Sequence, residues 1–310
     1  KVVNGSEADV KSNGLRAGLE RGVITAIAPL DMSSPAAFSD TIGARLSQAD
    51  AVSQWAGKTV SPLDAKEADQ IGSMLDTLQP KDRAQVIAGM ASAVGPRMAG
   101  AIATQLDKKD RALALAFSSA SSQTTANRFT SELILKGAAA IKDGAVAKDD
   151  KKVTGWKATI ANELAGVFPN AELEQAAKDA AYYIAAGLAQ ENGGSAGDRQ
   201  IKNAVRLAVG GGFVEHQGKR LPVAAELGDN DSDRQSNFEK RLKSIPASDI
   251  LSQAPDGKVL AGGTELSAAA FAAKVPGQEL IYAGPGRYAV VVRGRPVVNS
   301  AGRTIILTVQ

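Results

Sequence analysis

The chain contains no cysteine among its 310 residues. Disulfide bonds, cysteine-ligated zinc, iron–sulfur clusters and thiol nucleophiles are therefore excluded. His216 is the one histidine of the chain, so a histidine-rich metal site is also excluded. Any serine–histidine–aspartate triad would have to use His216. We predict that His216 lies in a turn beside Gly218 and is exposed to solvent, which favours no catalytic role.

Aromatic residues are scarce, and long apolar runs are missing. Phe, Trp and Tyr make up 4% of the chain, so the hydrophobic 44% consists mainly of Ala, Val, Leu and Ile. Helices rich in alanine pack closely, but each buries little area. No run reaches the roughly 18 to 20 apolar residues that a membrane span needs. The composition predicts a monomer of modest stability that relies on partners.

Charge is nearly balanced except near the C-terminal end. The chain has 36 basic and 33 acidic residues, and residues 280–310 contain four arginines and no acid. Without those four, 32 basic residues face 33 acidic ones. This local excess makes the arginines candidate contacts to nucleic acid, although solvated side chains on a hairpin explain it as well. The four residues are Arg287, Arg293, Arg295 and Arg303.

Helix signals fill the first two thirds of the chain. Ser34 before Pro35 is a typical helix start, and Ser61 before Pro62 repeats the signal. Pro80 predicts the end of the helix after Pro62, and residues 95–96, Gly-Pro, predict a break between two helices.

The fold class that these signals predict is mainly α, with arrays of short alanine-rich helices followed by a small C-terminal α+β module. We predict a helical array over residues 1–147 and a second helical region over residues 148–212. The latter begins with a charged linker, residues 148–152. The α+β module occupies residues 213–310.

Strand signals are confined to this last module. A hairpin is predicted around Gly218, and short strands at residues 259–260 and 281–282 flank a helix over residues 267–273. Residues 287–309 alternate in polarity and predict an antiparallel hairpin or meander, with Pro296 at an edge or a strand start.

Two stretches resemble ligand-binding loops but lack the residues that the chemistry needs. Residues 229–233 place acids at positions 1, 3 and 5 of a calcium loop, but Arg234 replaces the required glycine and Lys240 the bidentate glutamate. We interpret them as a polar loop or a helix cap. Residues 210–212, three glycines, lack the Lys-Ser/Thr of a phosphate-binding loop and predict a helix stop. The sequence therefore predicts no metal and no cofactor site.

Carboxylates and aromatic side chains give no catalytic constellation either. Glycoside hydrolysis uses a pair of carboxylates, and a lytic transglycosylase manages with one acidic glutamate. The glutamates on predicted helices lack the flanking motifs of transglycosylases, and we interpret them as solvated. Aromatic residues at helical spacing are more typical of a core than of a stacking surface. The glutamates are Glu132, Glu163 and Glu172, and the aromatic residues are Trp55, Trp156, Tyr182 and Tyr183.

Three stretches together resemble a known family. They are the helical array of residues 63–122, the pair of segments 182–189 and 203–212, and the tail from residue 286 to residue 304. In this order they are similar to the C-terminal region of the large internal virion (ejection) proteins of short-tailed bacteriophages. In that family such regions often lie downstream of a lytic transglycosylase domain.

The resemblance implies a structural protein carried inside the virion and ejected into the host cell envelope, the periplasm. There it would form a homo-oligomer and associate with other ejection or tail proteins. The assembly would serve as a conduit for the genome, with transient contact to DNA. No transglycosylase motif carries over, so the resemblance implies a non-enzymatic part of the parent protein. Since Lys1 is not an initiator methionine, we expect the chain to begin inside a longer polypeptide.

Two other functions stay open from the residues alone. One is a peptidoglycan-processing enzyme or its cell-wall-binding module. The other is a nucleic-acid-binding module that uses the C-terminal arginines.

Overall fold

The structure is a computed structural model that describes residues 13–120, 125–146, 151–284 and 286–309. Lys1 and most of the predicted charged linker, residues 148–150, lie outside the described residues. The fold is mainly α with a small antiparallel α+β end, which confirms the predicted fold class.

The chain divides into two compact units. Unit 1 comprises Lys1–Val153 and Tyr182–Gly197, and unit 2 comprises Thr154–Ala181 and Asp198–Gln310. Residues 148–212 contribute to both units. The organisation into three consecutive domains stays a prediction.

Unit 1 is an array of packed helices. They are α1 (Gly14–Glu20), α2 (Pro35–Ala56), α3 (Ala65–Asp76), α4 (Pro80–Leu106), α5 (Arg111–Ala120) and α6 (Thr125–Lys142). Two further helices have residues in both units, α7 (Lys151–Leu164) and α8 (Ala171–Glu191).

Caps and prolines set the helix starts in unit 1. Ser34 caps α2 as predicted, since its hydroxyl accepts from the amide of Ala37 and Pro35 follows. The predicted cap at Ser61 is wrong, because Asp64 caps α3 in a capping box with Glu67. Helix α3 ends at Asp76, and Pro80 begins α4 as its first residue, a position that needs no amide donor.

Buried alanines lie beside larger apolar side chains in the helix contacts of unit 1. Helix α4 packs against α5 and α5 against α6, while α2 and α3 pack against α4. The predicted break at Gly95 is confirmed, since φ 74° and ψ 164° interrupt the helical geometry of α4 there. Small side chains let the helices approach closely but bury little area each. The alanines with 0% exposure in these helices include Ala84, Ala91, Ala99, Ala116 and Ala140.

The backbones of helices α6 and α8 approach each other closely at two glycines. A Cβ at Gly137 of α6 would lie 1.8 Å from the carbonyl oxygen of Tyr183. A Cβ at Gly187 of α8 would lie 2.5 Å from the carbonyl oxygen of Leu133. Each helix thus presents a glycine to the backbone of the other, so both positions require a residue without a side chain.

A buried arginine ties three segments of unit 1 together. Arg45 is 5% exposed, and its Nη1 and Nη2 donate to the two carboxylate oxygens of Glu67 at 3.0 and 2.7 Å. Nη1 also donates to the carbonyl oxygen of Pro62 at 3.1 Å, and Nε donates to that of Ala28. Glu67 accepts from the amide of Asp64 at 2.9 Å, so the ion pair and the capping box of α3 share one carboxylate.

Unit 2 combines helices with short strands. Besides its parts of α7 and α8 it contains α9 (Asp198–Ala208), α10 (Asp231–Lys243), α11 (Ala247–Leu251) and α12 (Ala268–Ala272). The strands are β1 (Gly211–His216), β2 (Lys219–Ala224), β3 (Lys258–Ala261), β4 (Thr264–Ser267), β5 (Glu279–Gly284), β6 (Arg287–Val292), β7 (Arg295–Pro296), β8 (Val298–Asn299) and β9 (Ile306–Thr308).

All strand pairs of unit 2 in the described ranges are antiparallel. Strand β1 pairs with β2, strand β3 lies between β4 and β8, and strand β6 pairs with β5, β7 and β9. The predicted hairpin at Gly218 and the predicted C-terminal strands are confirmed. Pro296 lies in the two-residue strand β7, opposite Val291, in keeping with its missing amide donor.

Aromatic side chains form the centre of the unit 2 core. Phe238 and Tyr288 are 0% exposed, with ring centroids 5.6 Å apart and an edge-on interplanar angle of 77°. Tyr282 contacts Tyr288 edge-on at 6.5 Å and Phe168 at 5.4 Å. The few aromatic residues of this unit therefore supply much of its burial.

Among the residues between 13 and 309 that the structure describes, no helix is both long and apolar enough to cross a bilayer.

Candidate functional site

The four candidate arginines lie at three places in unit 2. Arg287 begins β6, Arg293 is the first residue of the turn between β6 and β7 and Arg295 the first residue after it, and Arg303 follows the turn at Asn299. All four are exposed. Within the described ranges none of them has an ion-pair partner.

The strand geometry keeps these arginines from forming one cluster. Strand β6 has six residues, and a strand rises about 3.4 Å per residue, so Arg287 and Arg293 are about 20 Å apart along it. Arg293 lies in the two-residue turn that Arg295 follows. Nucleic-acid binding by the four residues stays a prediction, and only the Arg293–Arg295 pair is local.

A small groove opens beside Arg293. It has a volume of about 180 Å³. Its polar lining includes Arg293 and Lys274, which follows α12, and neither cation has an ion-pair partner in the part of the chain that the structure describes. Sequence reasoning missed Lys274, because it lies outside the arginine-rich segment and no motif marks it. The other lining residues are Ala261, Thr264, Leu266, Phe271, Gln278 and Val292.

The turn between β3 and β4 leaves room for the Arg293 side chain. Gly262 and Gly263 form this turn with φ values of 58° and 89°. A Cβ at Gly262 would lie 2.9 Å from Cγ1 of Val292 and 3.5 Å from Cδ of Arg293. Glycine at position 262 therefore allows the β3–β4 turn to lie against Val292 and Arg293, which line the groove.

Arg293 itself has an unfavourable backbone conformation. Its φ is 52° and that of Gly294 is 73°, the left-handed pattern of a two-residue hairpin turn that favours Asn, Asp or Gly first. Gln217, with φ 51°, holds the equivalent place before Gly218 in the β1–β2 turn. The chain thus carries a cation at a position where a side chain of its kind costs stability.

Arg293→Asn is expected to raise the free energy of unfolding by roughly 0.5 to 1 kcal/mol, because asparagine tolerates left-handed backbone better than arginine. Gln217→Asn is the matched control and should give a similar gain without changing the charge. Denaturant unfolding of both variants measures this. If Arg293→Asn lowered stability while Gln217→Asn raised it, the Arg293 side chain would have to stabilise the fold by its own contacts.

The prediction that His216 is exposed in a turn is wrong. His216 is the last residue of β1 and is 9% exposed, because its ring packs edge-on against Phe238 at 5.8 Å. Nε2 lies 2.8 Å from the carbonyl oxygen of Gln278, so Nε2 carries the proton that it donates. The turn begins one residue later, at Gln217, and the histidine is a core residue.

The buried tyrosines act as structural donors. The hydroxyl of Tyr288 donates to the carbonyl oxygen of Pro222 at 2.6 Å. Burial raises the pKa of Tyr282 and of Tyr288 well above the usual range of a phenol. Both hydroxyls therefore stay protonated at ordinary pH, and neither serves as a base there.

The calcium-like stretch is a helix cap, as predicted. The Asn230 side chain accepts from the amide of Asp233 at 2.9 Å and begins α10. The carboxylate of Asp231 accepts from Arg206 at 2.6 Å and from Arg234 at 3.2 Å. In the described ranges no group of three or more acidic or histidine side chains is arranged to hold a metal ion.

Two of the three glutamates considered for catalysis are engaged in ion pairs. Glu132 contacts Lys136 at 2.8 Å, and hydrogen bonds to Glu132 and to Glu191 raise the pKa of the Lys136 ammonium. Glu163 accepts from Arg220 at 3.0 Å. Glu172, in the first turn of α8, is exposed and forms no ion pair within the described residues.

The two tryptophans differ in their environment. Trp156 is 5% exposed and belongs to a core, as we predicted for isolated aromatic residues. For Trp55 that prediction is wrong, because it is 50% exposed in the last turn of α2.

Comparison of the chain with protein-family models, with curated proteins and with solved structures finds no match.

Proposed function

We propose that the chain is a structural virion protein of a short-tailed bacteriophage. It is ejected from the virion interior into the periplasm and assembles there into a conduit for the genome. In this proposal it acts with other ejection or tail proteins, contacts DNA only transiently, and has no catalytic role in the region considered. The proposal rests on the resemblance of residues 63–122, of the segments 182–189 and 203–212, and of residues 286–304 to such proteins.

The observation that best supports self-assembly is the exposure of Trp55. It is the largest type of apolar side chain, and half of its surface meets solvent. Tryptophan is enriched in the centres of protein interfaces. A half-exposed tryptophan adds far more apolar area to an interface than the alanines that are common in the helices of unit 1.

The test is sedimentation velocity on the full chain over a range of concentrations. We expect a discrete oligomer, and we expect Trp55→Ser to shift it toward the 31.9 kDa monomer without lowering the thermal midpoint. Gln54→Ser, at an exposed neighbour on α2, is the control and should leave the oligomer intact. A chain that sediments as a monomer at every concentration, including material from virions, would contradict the proposal.

A further inference from the structure

The groove beside Arg293 has the size of a site for one anchoring side chain. Its volume is about 180 Å³, whereas sites for drug-sized ligands and cofactors are typically about 300 to 1,000 Å³. An apolar cavity of about 150 Å³ takes up a molecule such as benzene. A leucine-sized group therefore fits within the groove.

The lining of the groove selects an apolar group with an anion next to it. Leu266 and Val292, both half-buried, supply apolar surface, and Lys274 and Arg293 supply two positive charges without an ion-pair partner among the described residues. Thr264 and Leu266 belong to β4, and among the described strands β4 pairs only with β3. The free edge of β4 makes this side of unit 2 accessible to another chain.

The same unit presents a side chain of the complementary kind. Leu173 is 38% exposed in the first turn of α8, between Glu172 and Glu174. Its amide donates to Oδ1 of Asn170 at 2.9 Å, so the helix cap fixes the position of this turn. Glu174 is held by Lys178 at 2.5 Å, which leaves Glu172 as the glutamate without an ion-pair partner in the described residues.

Other exposed apolar side chains of unit 2 lack this chemistry. Leu260 is 45% exposed in the middle strand β3, beside Val298 of β8. Leu251 is 43% exposed at the end of α11 and lies close to Gly257. Of these three leucines, Leu173 is the one whose two neighbours in the sequence are both glutamates.

We propose that unit 2 binds a second copy of this chain, with Leu173 of one copy in the groove of the other and Glu172 facing Lys274 and Arg293. This rests on the proposed function, of which it specifies one contact. The helix N-terminus at Leu173 carries roughly half a positive charge, but the full negative charge of the Glu172 carboxylate outweighs it. The turn therefore presents a net negative charge to the groove.

The contact joins two different surfaces of the same chain. Such a contact produces a ring or a filament when it is repeated head to tail, and a dimer when two copies make it reciprocally. A stable interface buries about 1,200 to 2,000 Å² in total, so the leucine serves as the anchor of a wider interface.

Charge reversal tests the ionic part of the contact. We expect Glu172→Lys to weaken self-association of the full chain about tenfold or more, and Glu172→Lys combined with Arg293→Glu to recover part of the loss. Glu226→Lys, a change of the same charge at another glutamate of unit 2, is the control. If the double variant lost as much self-association affinity as the two single variants together, the pairing of Glu172 with Arg293 would be overturned.

The absence of cysteine permits a direct test that does not depend on a stable oligomer. Leu173→Cys and Thr264→Cys each introduce one thiol into the full chain, and a disulfide forms only when the two Cα atoms come within about 7 Å. After mixing at equal concentration and mild oxidation, we expect the mixed 173–264 dimer to exceed each symmetric dimer by well over the roughly twofold ratio that random pairing of the thiols gives. Ser248→Cys, at an exposed position of α11, is the control thiol.

The outcomes separate this contact from the proposed function. If the mixed dimer formed no more readily than dimers with the control thiol, the contact would be refuted even if the wild-type chain sedimented as an oligomer. If the mixed dimer predominated while the chain stayed monomeric in virion material, the contact would stand and the conduit proposal would fail.

Discussion

Replacing Gly187 with alanine is expected to destabilise unit 1 by about 3 kcal/mol or more. The new methyl group would lie 2.5 Å from the carbonyl oxygen of Leu133, and at Gly137 it would lie 1.8 Å from that of Tyr183. Both obstacles are backbone atoms, so no side-chain rotation relieves them and helices α6 and α8 have to separate. The loss is a large share of the 5 to 15 kcal/mol that stabilises a typical domain.

Thermal unfolding of Gly187→Ala and Gly137→Ala, followed by circular dichroism, measures this effect. A shift of about 2 to 4 °C per kcal/mol is expected for a unit of this size. Gly43→Ala is the matched control, because Gly43 is exposed in α2 and a Cβ there would meet no atom within 4 Å. In that position alanine should stabilise the helix by up to about 1 kcal/mol. Equal effects at Gly43 and Gly187 would contradict the close approach of α6 and α8.

Replacing Arg45 with alanine is expected to cost about 3 to 5 kcal/mol. The change leaves Glu67, whose side chain is 16% exposed, without its bidentate partner. It also removes the donor for the carbonyl oxygens of Pro62 and Ala28. Because Glu67 belongs to the capping box of Asp64, the start of α3 loses support as well.

A double-mutant cycle separates the ion pair from the other contacts of Arg45. Arg45→Ala, Glu67→Gln and the double variant are compared by denaturant unfolding, and we expect the double variant to lose less than the sum of the single losses. The exposed pair of Arg16 and Glu20, 3.7 Å apart, provides the control, with an effect within about 0.5 kcal/mol for Arg16→Ala. Strict additivity at Arg45 and Glu67 would show that the pair is not coupled.

Local signals in the sequence predicted many of the elements. Ser34 before Pro35 marks a helix start, and the alternation of residues 287–292 marks a strand, because caps and strand periodicity depend on neighbouring residues. The hairpin at Gly218 follows from the same logic. The short strand β4 was missed, since its four residues alternate too briefly to be read without its partner β3.

Features that depend on distant residues were not accessible from the sequence. The burial of His216 arises from Phe238 and from Gln278, which is 62 residues away along the chain. The requirement for glycine at positions 137 and 187 arises from a helix crossing between segments that local patterns do not connect. Lys274 joins Arg293 in one groove only because two hairpin turns meet at Gly262. The charge composition of the C-terminal segment identified Arg293 as a candidate, but it did not identify the residues that lie beside Arg293 in the groove.

Neither unit is encoded by an uninterrupted stretch of sequence, and this bears on how the protein is synthesised. The chain passes from one unit to the other three times, after Val153, Ala181 and Gly197. During translation, unit 1 is incomplete until Gly197 has been synthesised. At that point the first 28 residues of unit 2, Thr154–Ala181, are already present, but the rest of unit 2 is not. Independent domains of a nascent chain can fold one after the other as they emerge. Here the two units are completed in alternation along the chain. If the chain is cut at any single position, at least one unit loses part of its residues.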